Sequence, residues 1–316
     1  MPVSGRPTLS ASRGIALVIV LWMLALLATI AASLVFSTRT ELAIAGNLVS
    51  SARAEAIADA GVYKAVHELI AVPPADPGRW QGDGRTHDWE FDGARLAIVI
   101  TDESARIDIN AAPEALLRGL FVAQGLAAAD AEALADAIAD WRDADDLRRL
   151  HGAEKDDYAA AGKPHGPANA NFDAVEELRQ VLGMNEDLYR RVEPLVTVHS
   201  GQAGINSAVA PRQVLLAIPG VTPAAVDAFL DQRRAALAQG LMPPLFPAAQ
   251  AFHAGNINLV VGIQVEAVLG DNTRFFREAV ARLTGDGKEA MTVLAWRAPM
   301  VPPAAPETAP QSKATQ

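Results

Sequence analysis

Cysteine is absent from the 316 residues. That excludes a disulfide framework, a thiolate metal centre and a cysteine nucleophile, and it fits a cytosolic or a periplasmic protein equally well. Catalytic motifs are also missing. The six histidines (His67, His87, His151, His165, His199 and His253) form no His-x-x-x-His or His-Glu-x-x-His pair. There is no Gly-x-Ser-x-Gly and no Gly-x-x-x-x-Gly-Lys segment. Asp136 and Asp140 share a helix face, but an acid/base pair needs a cleft that spacing cannot show. The chain is therefore not expected to be an enzyme, and a membrane-tethered hydrolase stays open as an alternative without a nucleophile. Positive charge is short as well. The net charge is −10, which argues against general affinity for nucleic acid or anionic lipid. Residues 101–200 hold 20 Asp+Glu against 10 Lys+Arg, so this window carries the whole imbalance.

What is present begins with an apolar run. Between Arg13 and Arg39 there is no charged residue. Ile15 to Phe36 would span about 33 Å as a helix at about 1.5 Å per residue, enough for a bilayer core about 30 Å thick. A secretory signal peptide would have a shorter apolar core with a small-x-small site after it. Here the candidate processing site, Arg13-Gly14, precedes the run, so cutting there would remove a short basic leader and keep the helix. Arg6 and Arg13 before the run favour an N-in orientation. The alternative is an ordinary N-terminal membrane anchor.

Arg13-Gly14 followed by Ile15-Ala16-Leu17-Val18-Ile19 resembles the leader of type IV pilins and pseudopilins. The resemblance implies cleavage by a prepilin peptidase after Gly14 and N-methylation of Ile15. It departs from the family at Ile19, the fifth mature position, where most members carry a glutamate that pairs with the N-terminal amine of a neighbouring subunit. An unpaired carboxylate in lipid is costly, so a subunit with no neighbour above it gains by losing it.

The helix is expected to continue past the membrane. Leu42, Ala45, Val49, Ala52, Ala56, Ala60, Tyr63, Val66 and Ile70 recur at three- and four-residue steps, with Arg39, Glu41, Arg53, Glu55, Asp59 and Lys64 on the other side. Gly46 leaves a break open, and Val72-Pro73-Pro74 predicts the stop. Trp89–Phe91 and Arg95–Thr101 read as strands joined around Asp92-Gly93-Ala94. Ile263–Leu269, Phe275–Leu283 and Met291–Trp296 read as further strands. Strand material on both sides of a helical middle suggests one sheet with a helical insertion.

The middle contains a repeat. Arg106-Ile107-Asp108-Ile109-Asn110-Ala111-Ala112-Pro113 recurs as Gly204-Ile205-Asn206-Ser207-Ala208-Val209-Ala210-Pro211. Each copy ends an extended segment, turns, and places proline in the first helical turn, where its missing N–H costs nothing. A second helix follows each, over Ala131–Trp141 and Pro223–Arg234. With the leader and Ile19, this repeat resembles the K-type minor pseudopilins of type II secretion, within the type IV pilin-like superfamily. The segment Ile218-Pro219-Gly220-Val221-Thr222-Pro223 also looks like a helix–hairpin–helix, which in other settings offers backbone N–H groups to phosphate. Three arginines against Asp227 and Asp231 between Pro211 and Ala235 support a structural role better than DNA binding. A membrane-anchored helix–hairpin–helix DNA-binding protein remains the alternative.

The acidic segment runs Asp136, Asp140, Trp141, Arg142, Asp143, Asp145, Asp146, then Gly152, Ala153, Glu154, Lys155, Asp156, Asp157 and Tyr158. Calcium takes six to eight oxygen ligands from flexible acidic loops. Counting Asp143 as first, Asp145 is third and Glu154 twelfth, as in an EF-hand, but Leu147 and Arg148 stand where a ligand and a glycine belong, so that motif is rejected. The family resemblance implies Ca2+ here, near Trp141-Arg142-Asp143-Ala144-Asp145 and Gly152–Tyr158, with Asp143, Asp145, Glu154 and Asp157 as metal ligands. The alternative is a solvated acidic helix end.

The expectation is an α+β fold: a long transmembrane and amphipathic helix packed on a pilin-like antiparallel sheet, with a large all-α insertion of two small helical repeats. The expected segments are a leader (1–14), a transmembrane helix (15–36), the first part of a pilin-like domain (37–105), an acidic helical insertion (106–203), a second helical repeat (204–255), the remaining strands (256–298) and a disordered tail (299–316). The resemblance implies a subunit that initiates or caps the pseudopilus tip. Its partners would be the minor pseudopilins I and J, other pseudopilins, the prepilin peptidase, the inner membrane and a secreted substrate, but no nucleic acid. It would cross the cell inner membrane once, with its bulk periplasmic.

Overall fold

The computed structural model describes residues 13–73, 76, 78–254, 259–284 and 289–299, with side chains from Ala16 onward. The leader expected over 1–14 therefore lies outside the described residues up to residue 12, and the expected tail lies outside them from residue 300. The chain divides into two units, residues 1–54 and residues 55–316.

Helix α1 (Arg13–Ala71) is 59 residues long and passes through Gly46 without a break. It is long and apolar enough to cross a membrane, with a mean hydropathy of 2.6 over its best 18-residue window. In the first unit the apolar side chains from Leu17 to Phe36 are exposed. Within this stretch and just beyond it, the Thr29, Thr38 and Thr40 hydroxyls donate to the carbonyls of Leu26, Leu34 and Phe36. Such internal bonds satisfy polar groups that lipid cannot.

In the second unit the sheet has strands β1 (Asp83–Phe91) and β2 (Ala94–Asp102), then, after the two short strands β3 (Ile107–Asp108) and β4 (Val196–Thr197), strands β5 (Val260–Val268), β6 (Arg274–Leu283) and β7 (Met291–Arg297). The five long strands lie in the order β1-β2-β5-β6-β7, every pair antiparallel. Asp92 and Gly93, at φ of 50° and 74°, make the two-residue turn whose twist suits a hairpin. β2 and β5 are neighbours although about 160 residues apart in sequence, as one interrupted sheet requires.

Residues 55–71 of α1 pack on this sheet through Ile57, Ala58, Gly61, Val62, Ala65, Val66 and Leu69. This corrects the stripe expected from sequence. Ala56, Tyr63 and Ile70 are exposed, because the apolar positions form two adjacent faces and the sheet takes the one containing Gly61. A Cβ at Gly61 would stand 2.8 Å from Val265 and 2.9 Å from Leu96, so glycine is what permits this close approach. Arg277, 5% exposed, bonds Asp59 at 2.6 Å and Glu55 at 2.8 Å, with its guanidinium over the Phe275 and Trp296 rings.

Between β2 and β5 lie α2 (Glu114–Ala123), α3 (Ala128–Arg142), α4 (Lys155–Ala160), α5 (Glu186–Val192), α6 (Arg212–Leu215) and α7 (Pro223–Ala238). Leu116, Leu117, Leu120 and Phe121 of α2 are buried against Leu134 and Ile138 of α3 in one apolar cluster; each such side chain contributes about 1.5–3 kcal/mol on burial. The block is not purely helical, since β3 and β4 form a two-residue parallel ladder.

The repeat is present in the hydrogen bonds, in the register of the sequence alignment. Asp108 Oδ1 accepts from the Asn110 and Ala111 N–H groups, and Asn206 Oδ1 accepts from Ala208 N–H. Asp108 is thus the counterpart of Asn206, and Asn110 instead bonds both backbone groups of Phe172 at 2.8 and 2.9 Å. Arg142 closes the first copy by donating to the carbonyls of Ile109 and Ala112 at 2.6 and 2.8 Å. Arg233 closes the second on Ser207 and Ala210 at 3.0 and 2.8 Å. Ile107 and Ile205 each enter a parallel bridge, to Val196 and His253.

Candidate metal site in the acidic segment

α3 brings Asp136 and Asp140 to its C-terminal end and stops at Arg142, where Asp143 takes an extended backbone. The chain from Asp143 to Glu154 then crosses back over α3 without regular structure. Backbone bonds hold that return: Arg149 N–H donates to Asp140 at 3.3 Å and His151 N–H to Asp136 at 3.1 Å. Gly152 passes so close that a Cβ would sit 2.0 Å from Asp140 Oδ2. Tyr158 of α4 is fully buried, its ring 6.2 Å from that of Trp141, and its hydroxyl accepts from Leu182 N–H at 3.0 Å. Burial pushes the Tyr158 hydroxyl up to about 12.

The four residues that the resemblance implies as ligands are used unequally. Glu154 is 8% exposed, and neither carboxylate oxygen has a hydrogen-bond partner. Burial raises its pKa, and the charges of Asp140, Asp143, Asp146 and Asp145 push the same way. Asp143 Oδ1 is likewise buried without a partner, while Oδ2 lies 3.7 Å from Arg149. Asp145 accepts from Leu147 N–H at 2.9 Å. Asp157 accepts from Glu154 N–H at 2.9 Å and from Arg148 at 2.9 Å, and the Glu154 N–H is the chief cause of its lowered pKa. Among the described residues, no three histidine or acidic side chains are grouped tightly enough to hold a metal ion as they stand.

Spacing alone missed three participants. Asp140 is fully buried, its pKa raised chiefly by burial. Asp146 accepts from Asn169 Nδ2 at 2.9 Å, and Asn169 Oδ1 is a further buried oxygen without a partner. Asp146 stands inside the acidic run and is visible there. Asn169 follows 23 residues later, in a left-handed conformation (φ 50°), and nothing local marks it.

The sequence profile described as "Type II secretion system (T2SS), protein K" matches residues 96–201. The type II secretion system protein K of Pectobacterium carotovorum subsp. carotovorum is 32% identical over 210 residues, 59% of this chain and 63% of that protein. The counterpart in Aeromonas hydrophila is 28% identical over 237 residues, covering 67% and 72%. The chain is thus similar in sequence to type II secretion system protein K over its central part. It spans less than two thirds of the Pectobacterium relative. The fold resembles a chain in the crystal structure of the GspK-GspI-GspJ complex from enterotoxigenic Escherichia coli, with a TM-score of 0.58 at 19% identity over 84% of this chain and 99% of that one. The protein K match includes α2, α3, the acidic segment and α5, so the orphaned oxygens of Asp143, Glu154 and Asn169 all fall within the matched residues.

Proposed function

We propose that this chain is a minor pseudopilin of type II secretion that initiates or caps the pseudopilus tip together with the minor pseudopilins I and J. The observation that carries the reading is the pairing of protein K sequence similarity with a fold like that of a chain from the GspK-GspI-GspJ complex. Residues 15–36 would cross the inner membrane once, with the bulk of the chain periplasmic; the uninterrupted apolar stretch of α1 supports this. Ile19 supports a terminal position, because it offers no carboxylate to the amine of a subunit above it. Prepilin peptidase would cut after Gly14 and methylate Ile15. Mass spectrometry of the mature N-terminus tests this: a methylated Ile15 is expected, and a start at Met1 or after the apolar run overturns it. Co-purification with the I and J subunits tests the assembly role.

The acidic segment is proposed to hold calcium. The donor set fits: four buried oxygens without partners, on Asp143, Glu154 and Asn169, are all of the hard type calcium takes. Asp145 and Asp157 would join only by giving up their present bonds. Calcium would neutralise a cluster in which burial, and then the surrounding aspartates, raise the pKa of Glu154. It should raise the melting temperature of the full chain in detergent micelles, and Asp143→Ala should abolish the rise. Salt-resistant DNA binding at physiological ionic strength would instead favour the helix–hairpin–helix alternative, which the local charge does not support.

A further inference from the structure

Between Asp136 and Asp157 the acidic segment holds its own cations, and two of them touch its carboxylates. Arg148 bonds Asp157 at 2.9 Å. Arg149 reaches three carboxylates on two helices: Glu114 of α2 at 2.5 Å, Asp140 of α3 at 3.3 Å and Asp143 at the end of α3 at 3.7 Å. Arg142, by contrast, spends its guanidinium on the Ile109 and Ala112 carbonyls. Beside these ion pairs, the return between Asp143 and Glu154 is held by polar bonds, from Arg149 N–H to Asp140, His151 N–H to Asp136 and Asn169 to Asp146. Leu147 and Leu150, which flank the two arginines, are 77% and 84% exposed, so apolar burial does not fix it. Neither arginine bonds Glu154, which stays buried without a partner. The arginines therefore neutralise the rim of the cluster and leave its centre open.

We infer that Arg148 and Arg149 are built-in counter-ions, Arg148 paired with Asp157 and Arg149 lying beside Asp143, that compete with a divalent cation for these carboxylates. This rests on the calcium reading above. One carboxylate oxygen cannot sit at 2.3–2.6 Å from calcium and also keep a guanidinium beside that ion, whose charge repels it. The arginines then do two opposed things: they stabilise the metal-free segment, and they weaken its affinity for the cation.

The test is calcium titration by calorimetry on the full chain in detergent micelles, with melting temperatures in chelator and in excess calcium. Arg148→Gln keeps the side-chain length and removes the charge. It should bind calcium about two- to five-fold more tightly, the range that an exposed ion pair's coupling allows. It should also melt lower than the parent in chelator and level with it in excess calcium. Arg148→Lys, which keeps the charge, should bind as the parent does. Arg149→Gln should shift affinity in the same direction, and if it fails to fold, Arg148→Gln still decides. Unchanged or weaker affinity in Arg148→Gln, with a lower melting temperature at every calcium concentration, would show a merely structural pair and overturn the inference while leaving calcium binding intact. A parent chain that shows neither heat nor a melting shift with calcium would remove the cation reading itself, and the inference with it.

Discussion

Tyr158 has no solvent exposure, and its hydroxyl oxygen is the hydrogen-bond acceptor recorded for Leu182 N–H. Phenylalanine would keep the ring against Trp141 and leave that N–H buried without a partner. A lost partner of this kind costs about 1–3 kcal/mol, so Tyr158→Phe should lower stability by that amount in urea unfolding, with the fold retained. Glu278 has the opposite sign. Burial is the chief cause of its raised pKa, against the opposing charges of Arg297 and Arg106. A carboxyl raised in the folded state destabilises the fold wherever it is ionised, above its folded pKa. The penalty fades as pH falls toward the ordinary carboxyl value of 4.5. Glu278→Gln should therefore melt higher than the parent near pH 8, with the gap closing toward pH 4.5. A constant gap across that range would mean that the glutamine acts through packing and not through charge.

At the scale of elements, Arg277 joins β6 to residues 55–71 of α1. It is 5% exposed, while the Glu55 and Asp59 side chains are 52% and 32% exposed. Removing one partner of a fully buried pair costs about 3–5 kcal/mol. Here the two carboxylates can rehydrate, so Arg277→Ala should cost about 2 kcal/mol, with part of the loss from the Phe275 and Trp296 rings. Lysine should recover some of it but cannot bond both acids in the fork geometry of a guanidinium. The elements also show what the sequence could carry. The β1–β2 hairpin was legible because Asp-Gly selects its turn locally. The repeat was legible with its register, which sets Asp108 opposite Asn206, but the work of these two residues was not. Asp108 and Asn206 do the same work with different side chains, and only their bonds to the following N–H groups reveal it. The arginine that closes each copy was invisible for the same reason, since Arg142 and Arg233 act on carbonyls more than twenty residues earlier. In the proposed metal site, Asp143 and Glu154 were legible as members of an acidic run. Asn169 was not, because loop closure and not local pattern brings it to Asp146.

For the whole molecule, the question is how much of the fold depends on the apolar half of α1. Side chains from Leu17 to Phe36 are exposed over half or more of their surface wherever large apolar residues occur, and the buried cluster around α2 and α3 is built from residues between Ile107 and Phe252. Lipid, not protein, is the environment that satisfies such a surface. Deleting residues 1–36 therefore removes membrane attachment without removing core. The shortened chain should appear in the soluble fraction after alkaline carbonate extraction, while the full chain stays with the membrane. Its calcium-free melting temperature should fall within a few degrees of the full chain's, because the sheet, the Arg277 clamp and both closing arginines all lie beyond the cut. A large drop in melting temperature would show that the apolar half supports the second unit directly, and that the helix is more than an anchor to the rest of the chain.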